Sequence, residues 1–211
     1  MKILYQGSPG AYSHLAALEV YPEAEILPCK TFDECFSRAQ KDDELKIIIP
    51  ESNKTTGNIG IEYLIFKYRL NIYAEHFHKI EHNLLGLSGA KITDIKNGLS
   101  HAQGLSQCSN FIKKNNLIEN VRADTAGSAE LISKNNIVSD AAIASKLSPK
   151  IYKLDVIASN IENEKGNTTR FLIMGKSIQQ PELEKKKYIT SFLFKLKSKP
   201  AALYQSLGGF A

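Results

Sequence analysis

Short apolar runs alternate with amphipathic stretches from the first residues of the chain. Three of these runs have the length of strands: "KILYQ" (2–6), "AEILPC" (24–29) and "LKIIIP" (45–50). The third is apolar apart from Lys46, as expected of a strand covered on both faces. The segments between them, 11–20 and "TFDECFSRAQ" (31–40), have the period of helices. Thr31 and Glu34 would form a capping box at the second helix. This alternation predicts an α/β fold with three layers.

The alternation continues after a polar loop, "ESNKTTGN" (51–58), and a predicted helix at 59–68. A long segment of period two, 71–87, predicts an extended strand that crosses into a second lobe. The later predicted elements are the strands "NGLS" (97–100), "VRAD" (121–124), "AAIAS" (141–145), "KLDVIAS" (153–159) and "TRFLIMG" (169–175), with helices from His101 to about Asn115 and from Ala126 to about Lys134.

A return of the chain near 155–170 would give two α/β lobes with a cleft between them. The predicted boundaries are about 1–75 plus 168–176 for the first lobe and about 80–160 for the second, which together form a domain over 1–176. Residues 177–188 are polar and lysine-rich and are predicted to be a linker.

Composition and charge exclude several classes of protein. The 211 residues carry a net charge of +5, but lysines are dense only at "EKKK" (184–187), and no basic stripe interleaved with aromatics predicts nucleic-acid binding. The apolar runs are shorter than a membrane span, and the start of the chain has no secretory leader, so we expect no membrane partner. Cys29, Cys35 and Cys108 form no CxxC pair and predict reduced core thiols in a cytoplasmic protein.

Three small polar turns precede helices: "GSPGAYSH" (7–14), "SHAQGLSQC" (100–108) and "DTAGSA" (124–129). Free backbone N–H groups at a helix start bind anions, and in open α/β sheets ligands lie at strand ends. The alternative is simple capping, for which Ser100 with Gln103, and Asp124 or Thr125, are suited. Gln103 and Gln107 are four residues apart, so both amides would face one cleft.

The strand entry "GNTTRFLIMG" (166–175) places two threonines and Arg170 before a buried strand. Its hydroxyls either satisfy backbone groups or, with Arg170, form a site for an anionic ligand. His76, His78 and His82 share one face of an extended segment and imitate a metal site. No carboxylate or cysteine at ligand spacing supports them, so no metal is predicted.

Taken together, the motifs resemble the prephenate dehydratase family. They are "YQGSPGAYSHLAA" (5–17), "HNLLGL" (82–87), "SHAQGLSQC", "DTAGSA", "AAIAS" and "NTTRFLIMG", in that order and spacing, and the tail "TSFLFKLKSKPAAL" (190–203) resembles the opening of an ACT regulatory domain.

The resemblance implies a two-lobed fold like that of type II periplasmic binding proteins, followed over 189–211 by the incomplete start of an α+β ACT domain. It also implies a cofactor-free reaction in which prephenate loses water and carbon dioxide to give phenylpyruvate, and a possible homodimer. Two other functions stay open: arogenate dehydratase, and a two-lobed binding module that has lost catalysis.

The resemblance also implies roles for individual residues. Thr169 would donate a hydrogen bond to the leaving oxygen, and Thr168 is the variable position of the motif. The other implied or suggested residues would bind substrate: Asn53, Ser100, Gln103, Gln107, Thr125, Ser128, Asn167 and Arg170.

The sequence departs from the family pattern in three places. In the loop "PESNKTTG" (50–57), Ser52 takes the position of an acidic residue and Lys54 that of a serine, although a shifted loop would restore Glu51. Ala102 replaces a proline at a helix start, for which we expect a small cost. The third departure is the short ACT segment, which makes feedback inhibition by this chain unexpected.

Overall fold

The computed structural model describes residues 1–178, 190 and 194–210. The chain divides into two compact units, Met1–Gln180 and Pro181–Ala211. The described part of the second unit contains the helix Ala202–Leu207 and a 3-10 turn, Gly208–Phe210. Most of the predicted linker, and residues 189, 191–193 and 211 of the predicted ACT segment, lie outside the described residues, so both assignments stay predictions.

The first unit is built from strands and short helices. The strands are β1 (Lys2–Gln6), β2 (Glu25–Cys29), β3 (Leu45–Asn53), β4 (Gly57–Asn58), β5 (Asn71–Lys79), β6 (Asn83–Gly86), β7 (Asn97–Ser100), β8 (Ile118–Val121), β9 (Asp140–Ala144), β10 (Asp155–Ala158) and β11 (Thr168–Gly175). The helices are α1 (Tyr12–Val20), α2 (Phe32–Lys41), α3 (Glu62–Tyr68), α4 (Ala102–Gln107), α5 (Ser109–Lys114), α6 (Thr125–Asn135) and α7 (Ser148–Tyr152), with a 3-10 turn at Ile92–Asp94.

These strands form two sheets, one for each lobe. The first sheet has the order β2-β1-β3-β11-β5, with β4 paired to β3, and the second has the order β10-β6-β9-β7-β8. The two-lobed α/β architecture expected from the sequence is therefore confirmed.

The triple isoleucine of β3 explains why the first lobe has three layers. Ile47 and Ile49 pack with Phe36 of α2 and Leu64 of α3, whereas Ile48 packs with the α1 side of the sheet. Successive side chains of a strand point to opposite faces, so an unbroken apolar run needs a helix layer on each side. Thr31 caps α2 by accepting from the N–H of Glu34 at 3.1 Å, as predicted. The Glu34 carboxylate accepts from the N–H of Lys30.

The second lobe is layered in the same way. Leu84 and Ile143 pack against α4 and α5, and Leu85 and Ala142 pack against α6. The three cysteines are free and buried, as the sequence indicated.

The chain crosses between the lobes twice, at 80–82 and at 159–167. The two crossings are joined, because the N–H of Ile80 donates to Asn167 O at 2.8 Å. At a third contact, the turn before α1 reaches the second lobe: Ser145 Oγ donates to Gly10 O and the Tyr152 hydroxyl donates to Pro9 O, both at 2.6 Å.

Four local predictions were wrong. The predicted loop 51–58 is a hairpin, because β3 continues to Asn53 and pairs with β4. The predicted strand 71–87 is interrupted at 80–82, where the chain leaves one sheet for the other. The helix predicted over 101–115 ends and restarts around Cys108. The strand predicted at 121–124 lies at Ile118–Val121, because Asp124 is taken as the N-cap of α6.

Candidate active site

Two adjoining cavities, of about 450 and 560 Å³, lie where elements of both lobes meet. They share His101, Gln103 and Gln107, which lie along the second lobe's α4 from its N-cap to its last residue. The first lobe contributes Asn53 from β3 and Thr169 from β11 to the smaller cavity. Apolar side chains form much of the remaining wall of the smaller cavity: Phe32, Pro50, Ile59, Ile80 and Phe171. The arrangement suits a ligand with an apolar ring and polar substituents.

Thr169 is held at the cavity by its neighbour across the sheet. It pairs with Asn53 on β3 and with His78 on β5, so the three side chains share one face of the sheet. Asn53 Nδ2 donates to Thr169 Oγ1 at 2.8 Å, and both side chains are buried. Since the oxygen accepts from Asn53, the hydroxyl proton is left to donate toward the cavity. Thr168 takes another direction, and its hydroxyl donates to Gly166 O.

Asn53 also organises the hairpin that follows it. Its Oδ1 accepts from the N–H of Thr55 at 2.9 Å and from the N–H and hydroxyl of Thr56. Gln103 Nε2 donates to the Thr56 hydroxyl, which links the hairpin of the first lobe to α4 of the second. This loop therefore brings threonine hydroxyls to the cavity. Glu51, which a shifted loop would have brought there, is bound by Ser52 and Arg170 and is not among the lining residues.

A series of hydrogen bonds holds the Gln107 side chain. Its Oε1 lies 2.8 Å from His82 Nε2, and the Tyr12 hydroxyl lies 2.8 Å from His82 Nδ1 and 3.0 Å from Glu81 O. An amide oxygen only accepts, so His82 Nε2 carries the proton. Burial lowers the pKa of His82, which favours the neutral ring. With its oxygen engaged, Gln107 presents its NH₂ group to the cavities that it lines.

Two further predicted residues lie at the cavities. Thr125, the first residue of α6, lines the smaller one, next to Asp124, which caps this helix by accepting from the N–H of Gly127. Asn167 lines the larger one. Asn167 Oδ1 is buried and has no hydrogen-bond partner among the described residues, so it is an acceptor for a donor group on a ligand.

The structure does not bring Ser100, Ser128 or Arg170 to the cavities. Ser100 is fully buried at the end of β7, and its hydroxyl donates to Ile143 O on β9. The predicted capping box of Ser100 with Gln103 is therefore wrong, and His101 caps α4 through Nδ1. Ser128 donates back to Asp124 O within α6.

The alternation of side chains along β11 directs Arg170 away from the cavities. This residue follows Thr169 in β11, so its side chain lies on the opposite face of the sheet. There Nε donates to Glu75 Oε2 at 2.7 Å and a terminal nitrogen donates to Glu51 Oε2 at 3.4 Å. The Arg170 guanidinium, which the sequence analysis assigned to a ligand, is therefore hydrogen-bonded to two carboxylates.

Because Arg170 faces away from the cavities, the charged side chains that line them are all acidic among the described residues. Among the described residues that line them, none is lysine or arginine, whereas Asp124, Glu162 and Glu164 are present. An anionic group would therefore be held by hydroxyls, amides and the backbone N–H groups at the starts of α1 and α6.

Sequence reasoning missed Tyr12, His82, Thr56 and Glu162 as residues of the site. From the sequence, Tyr12 was placed only within a predicted helix and His82 in a row of histidines. Their contacts join segments about 25 to 70 residues apart, which local periodicity does not report.

The fold and the cavities together define a two-lobed α/β domain with a site of hydroxyl and amide groups between its sheets. Residues 3–179 match the family model described as prephenate dehydratase, and the chain belongs to that family.

Similar proteins agree with this assignment. The chain is 39% identical over its whole length to arogenate dehydratase/prephenate dehydratase 1, chloroplastic, of Arabidopsis thaliana, and it covers 54% of that protein. It therefore spans about half the length of this curated relative. It is also 32% identical, over 99% of its length, to a bifunctional N-acyl-homoserine lactone acylase/prephenate dehydratase of Komagataeibacter europaeus, of which it covers 75%. The prephenate dehydratase of Arthrobacter aurescens, solved in complex with L-Phe, shares the fold with a TM-score of 0.85 and 20% identity; the match covers 100% of this chain and 72% of that one.

Proposed function

We propose that this chain is a prephenate dehydratase, a lyase that converts prephenate to phenylpyruvate, carbon dioxide and water on the route to phenylalanine. The observation that carries the proposal is the Thr169 hydroxyl, anchored by Asn53 and facing a cavity with apolar walls.

In the proposed reaction, the bond between the ring and its carboxylate breaks and its electron pair enters the ring. The ring becomes aromatic, and the C–O bond to the ring hydroxyl breaks. Thr169 is too weak an acid to transfer its proton fully, so it donates a hydrogen bond to the departing oxygen as negative charge develops there, and water is completed by a proton from solvent. Such a donor contributes roughly 3 to 4 kcal/mol to transition-state stabilisation. The ring chemistry requires no cofactor.

Substrate placement follows from the lining groups. Phe171, Phe32 and Ile80 would contact the ring, while the amide groups of Gln103 and Gln107 would donate to a carboxylate. Thr125 and the N–H groups at the starts of α1 and α6 would hold the second carboxylate. We do not assign Ser100, Ser128 or Arg170 to substrate contact; Ser100 and Ser128 shape the strand end and helix start beside the cavity.

Arogenate dehydratase is the second candidate, and one observation favours it. Arogenate carries an ammonium group where prephenate carries a keto oxygen. Glu162, Glu164 and the unpaired Asn167 Oδ1 all line the larger cavity, and they are acceptors or negative charges suited to an ammonium. The absence of lysine and arginine among the described lining residues also suits a substrate with less negative charge.

The test compares both substrates on the same preparation of the chain. Phenylpyruvate formed from prephenate and phenylalanine formed from arogenate are measured, and kcat/KM is obtained for each. A higher value for prephenate supports the proposal, and a value at least tenfold higher for arogenate replaces it with the second candidate. In the latter case Glu162→Gln should reduce kcat/KM for arogenate much more than for prephenate. No turnover of either compound, together with a raised melting temperature in their presence, would indicate a binding module.

Other features of the assignment remain predictions of the sequence: a cytoplasmic location, a possible homodimer and an ACT-like segment over 189–211. Within the described residues, no helix has both the length and the apolar character needed to cross a membrane.

A further inference from the structure

Two histidines and a glutamate converge on the α1 side of the first lobe, outside the cavities. Glu19 Oε2 lies 3.0 Å from His76 Nε2 and 2.8 Å from His78 Nδ1. One potential ligand atom from each residue lies within 4.8 Å of the others. His78 is 5% exposed, His76 25% and Glu19 36%, so the cluster has a buried floor and an open side.

The positions of these groups are set by regular secondary structure. His76 and His78 are two residues apart in β5 and therefore share a face of the sheet. Each lies opposite a residue of β11, His76 opposite Phe171 and His78 opposite Thr169. Glu19 belongs to α1, which is packed on the same sheet through Ala16 and Ala17.

We propose that Glu19, His76 and His78 form a binding site for a divalent transition-metal ion of the zinc type. Two imidazoles and one carboxylate form a donor set that zinc accepts, whereas magnesium and calcium prefer oxygen ligands alone. Three protein ligands leave the fourth position of a tetrahedral site for water, and the exposed side of the cluster admits it.

The distances are close to those that coordination needs. Zinc bonds of about 2.0–2.1 Å in a tetrahedron separate the ligand atoms by roughly 3.3 Å. The nitrogen–oxygen distances of 2.8 and 3.0 Å must therefore widen by a few tenths of an ångström. Glu19 is the most exposed of the three and is able to move outward while both histidines stay in place. Bound metal would take the place of the hydrogen in each of the two nitrogen–oxygen contacts, and each ring would then carry its proton on its other nitrogen.

The proposed site departs from the sequence-based expectation of no metal. The carboxylate was missed because Glu19 is 57 and 59 residues away from the two histidines. The third histidine of the row does not belong to the site, since Tyr12 and Gln107 bind the His82 ring. Bound metal would join α1 to β5 next to the strand that carries Thr169, and we expect it to stabilise the first lobe. The inference does not rest on the proposed function.

Zinc binding to the full chain, stripped with a chelator, is measured by titration calorimetry, and cobalt is added separately to record its visible absorption. We expect one zinc ion per chain, a cobalt spectrum typical of tetrahedral coordination, and a higher melting temperature with zinc. His76→Gln and Glu19→Gln should each weaken zinc binding at least tenfold. Glu23→Gln, an exposed glutamate just after α1, and His101→Asn, an exposed histidine elsewhere, are the matched controls and should bind as wild type does.

Two results of the zinc titration would overturn the proposal. One is the absence of saturable zinc binding to the wild-type chain. The other is binding that Glu19→Gln and His76→Gln leave unchanged, which would assign the ion to other groups. Circular dichroism without metal confirms that each variant is folded. The wild-type cobalt spectrum does not depend on any variant, and a spectrum of octahedral cobalt would also count against the site.

Discussion

Replacing Thr169 with valine tests the proposed mechanism at a single atom. Valine keeps the shape of the side chain and removes the hydroxyl that faces the cavity. If this hydroxyl stabilises the departing oxygen, its loss should cost about 3 to 4 kcal/mol in the transition state, and kcat should fall roughly 10²- to 10³-fold. KM should change little, because the donor acts on charge that appears only during the reaction.

The same substitution has a separate cost in stability that can be worked out from the structure. Asn53 Nδ2 loses the acceptor that lay 2.8 Å away, while its Oδ1 keeps the hairpin contacts. A buried donor without a partner costs about 1–3 kcal/mol of unfolding free energy. In a domain of this size that corresponds to a melting temperature lower by roughly 2–4 °C per kcal/mol. The assay must therefore be run well below the melting temperature of the variant.

Two control variants separate catalysis from folding. Thr169→Ser restores a hydroxyl at the same position and should recover most of kcat. Thr168→Val alters the neighbouring threonine, whose hydroxyl bonds to Gly166 O outside the cavity, and should keep kcat within about threefold. A Thr169→Val enzyme with near wild-type kcat, or an equal loss in Thr168→Val, would refute the role given to Thr169.

Three other outcomes are expected. Burial lowers the pKa of His82 in the folded state below its ordinary 6.5. Its contribution to the free energy of unfolding is therefore complete above pH 6.5 and is lost as the pH falls from 6.5 toward the folded-state pKa. The wild-type melting temperature should therefore drop more than that of His82→Gln between roughly pH 7.5 and 5.5, and parallel curves would contradict this. Gly104→Ala would place a Cβ 2.7 Å from Ser100 Oγ and should destabilise by about 1–3 kcal/mol. Adding Ser100→Ala should recover part of that loss in a denaturant-based double-mutant cycle, whereas additive costs would exclude the clash. Gly10→Ala combines a φ of +90° with a Cβ 2.8 Å from Ser148 Oγ, so its melting temperature should fall by several degrees, and an unchanged value would show that the turn has room.

Periodicity and spacing predicted most of the fold and part of the site. The apolar runs of β1, β3 and β11 were found because strand and helix periods are local properties of the sequence. Gln103 and Gln107 were placed together for the same reason, since four residues make about one helical turn. Thr169 was identified from a motif. Side chains alternate along a strand, so its immediate neighbour Arg170 had to lie on the opposite face, and this rule was not used in the sequence analysis.

The remaining contacts join parts of the chain that are distant in sequence. Tyr12 meets His82 across 70 positions, and Asn53 meets Thr169 across 116. No period reports such pairs, because they depend on how whole elements pack. Ser100 shows a related failure. Its small polar side chain suited a helix N-cap. The residue instead ends a strand in the buried middle of a sheet, and its hydroxyl donates to Ile143 O on the neighbouring strand.

The position of β11 has a consequence for how the chain acquires its structure. This strand is the last of the first unit in sequence, yet it lies inside the first sheet, between β3 and β5. Until residues 168–175 are available, β3 lacks a neighbour on one side and β5 lacks the one strand that it pairs with among the described residues. The strands of the second sheet, in contrast, all lie within one continuous stretch, 83–158. Closing long loops costs entropy before any contact forms. During synthesis, therefore, we expect the second lobe to fold first. The first lobe would fold only when β11, the strand that completes its sheet, has been made.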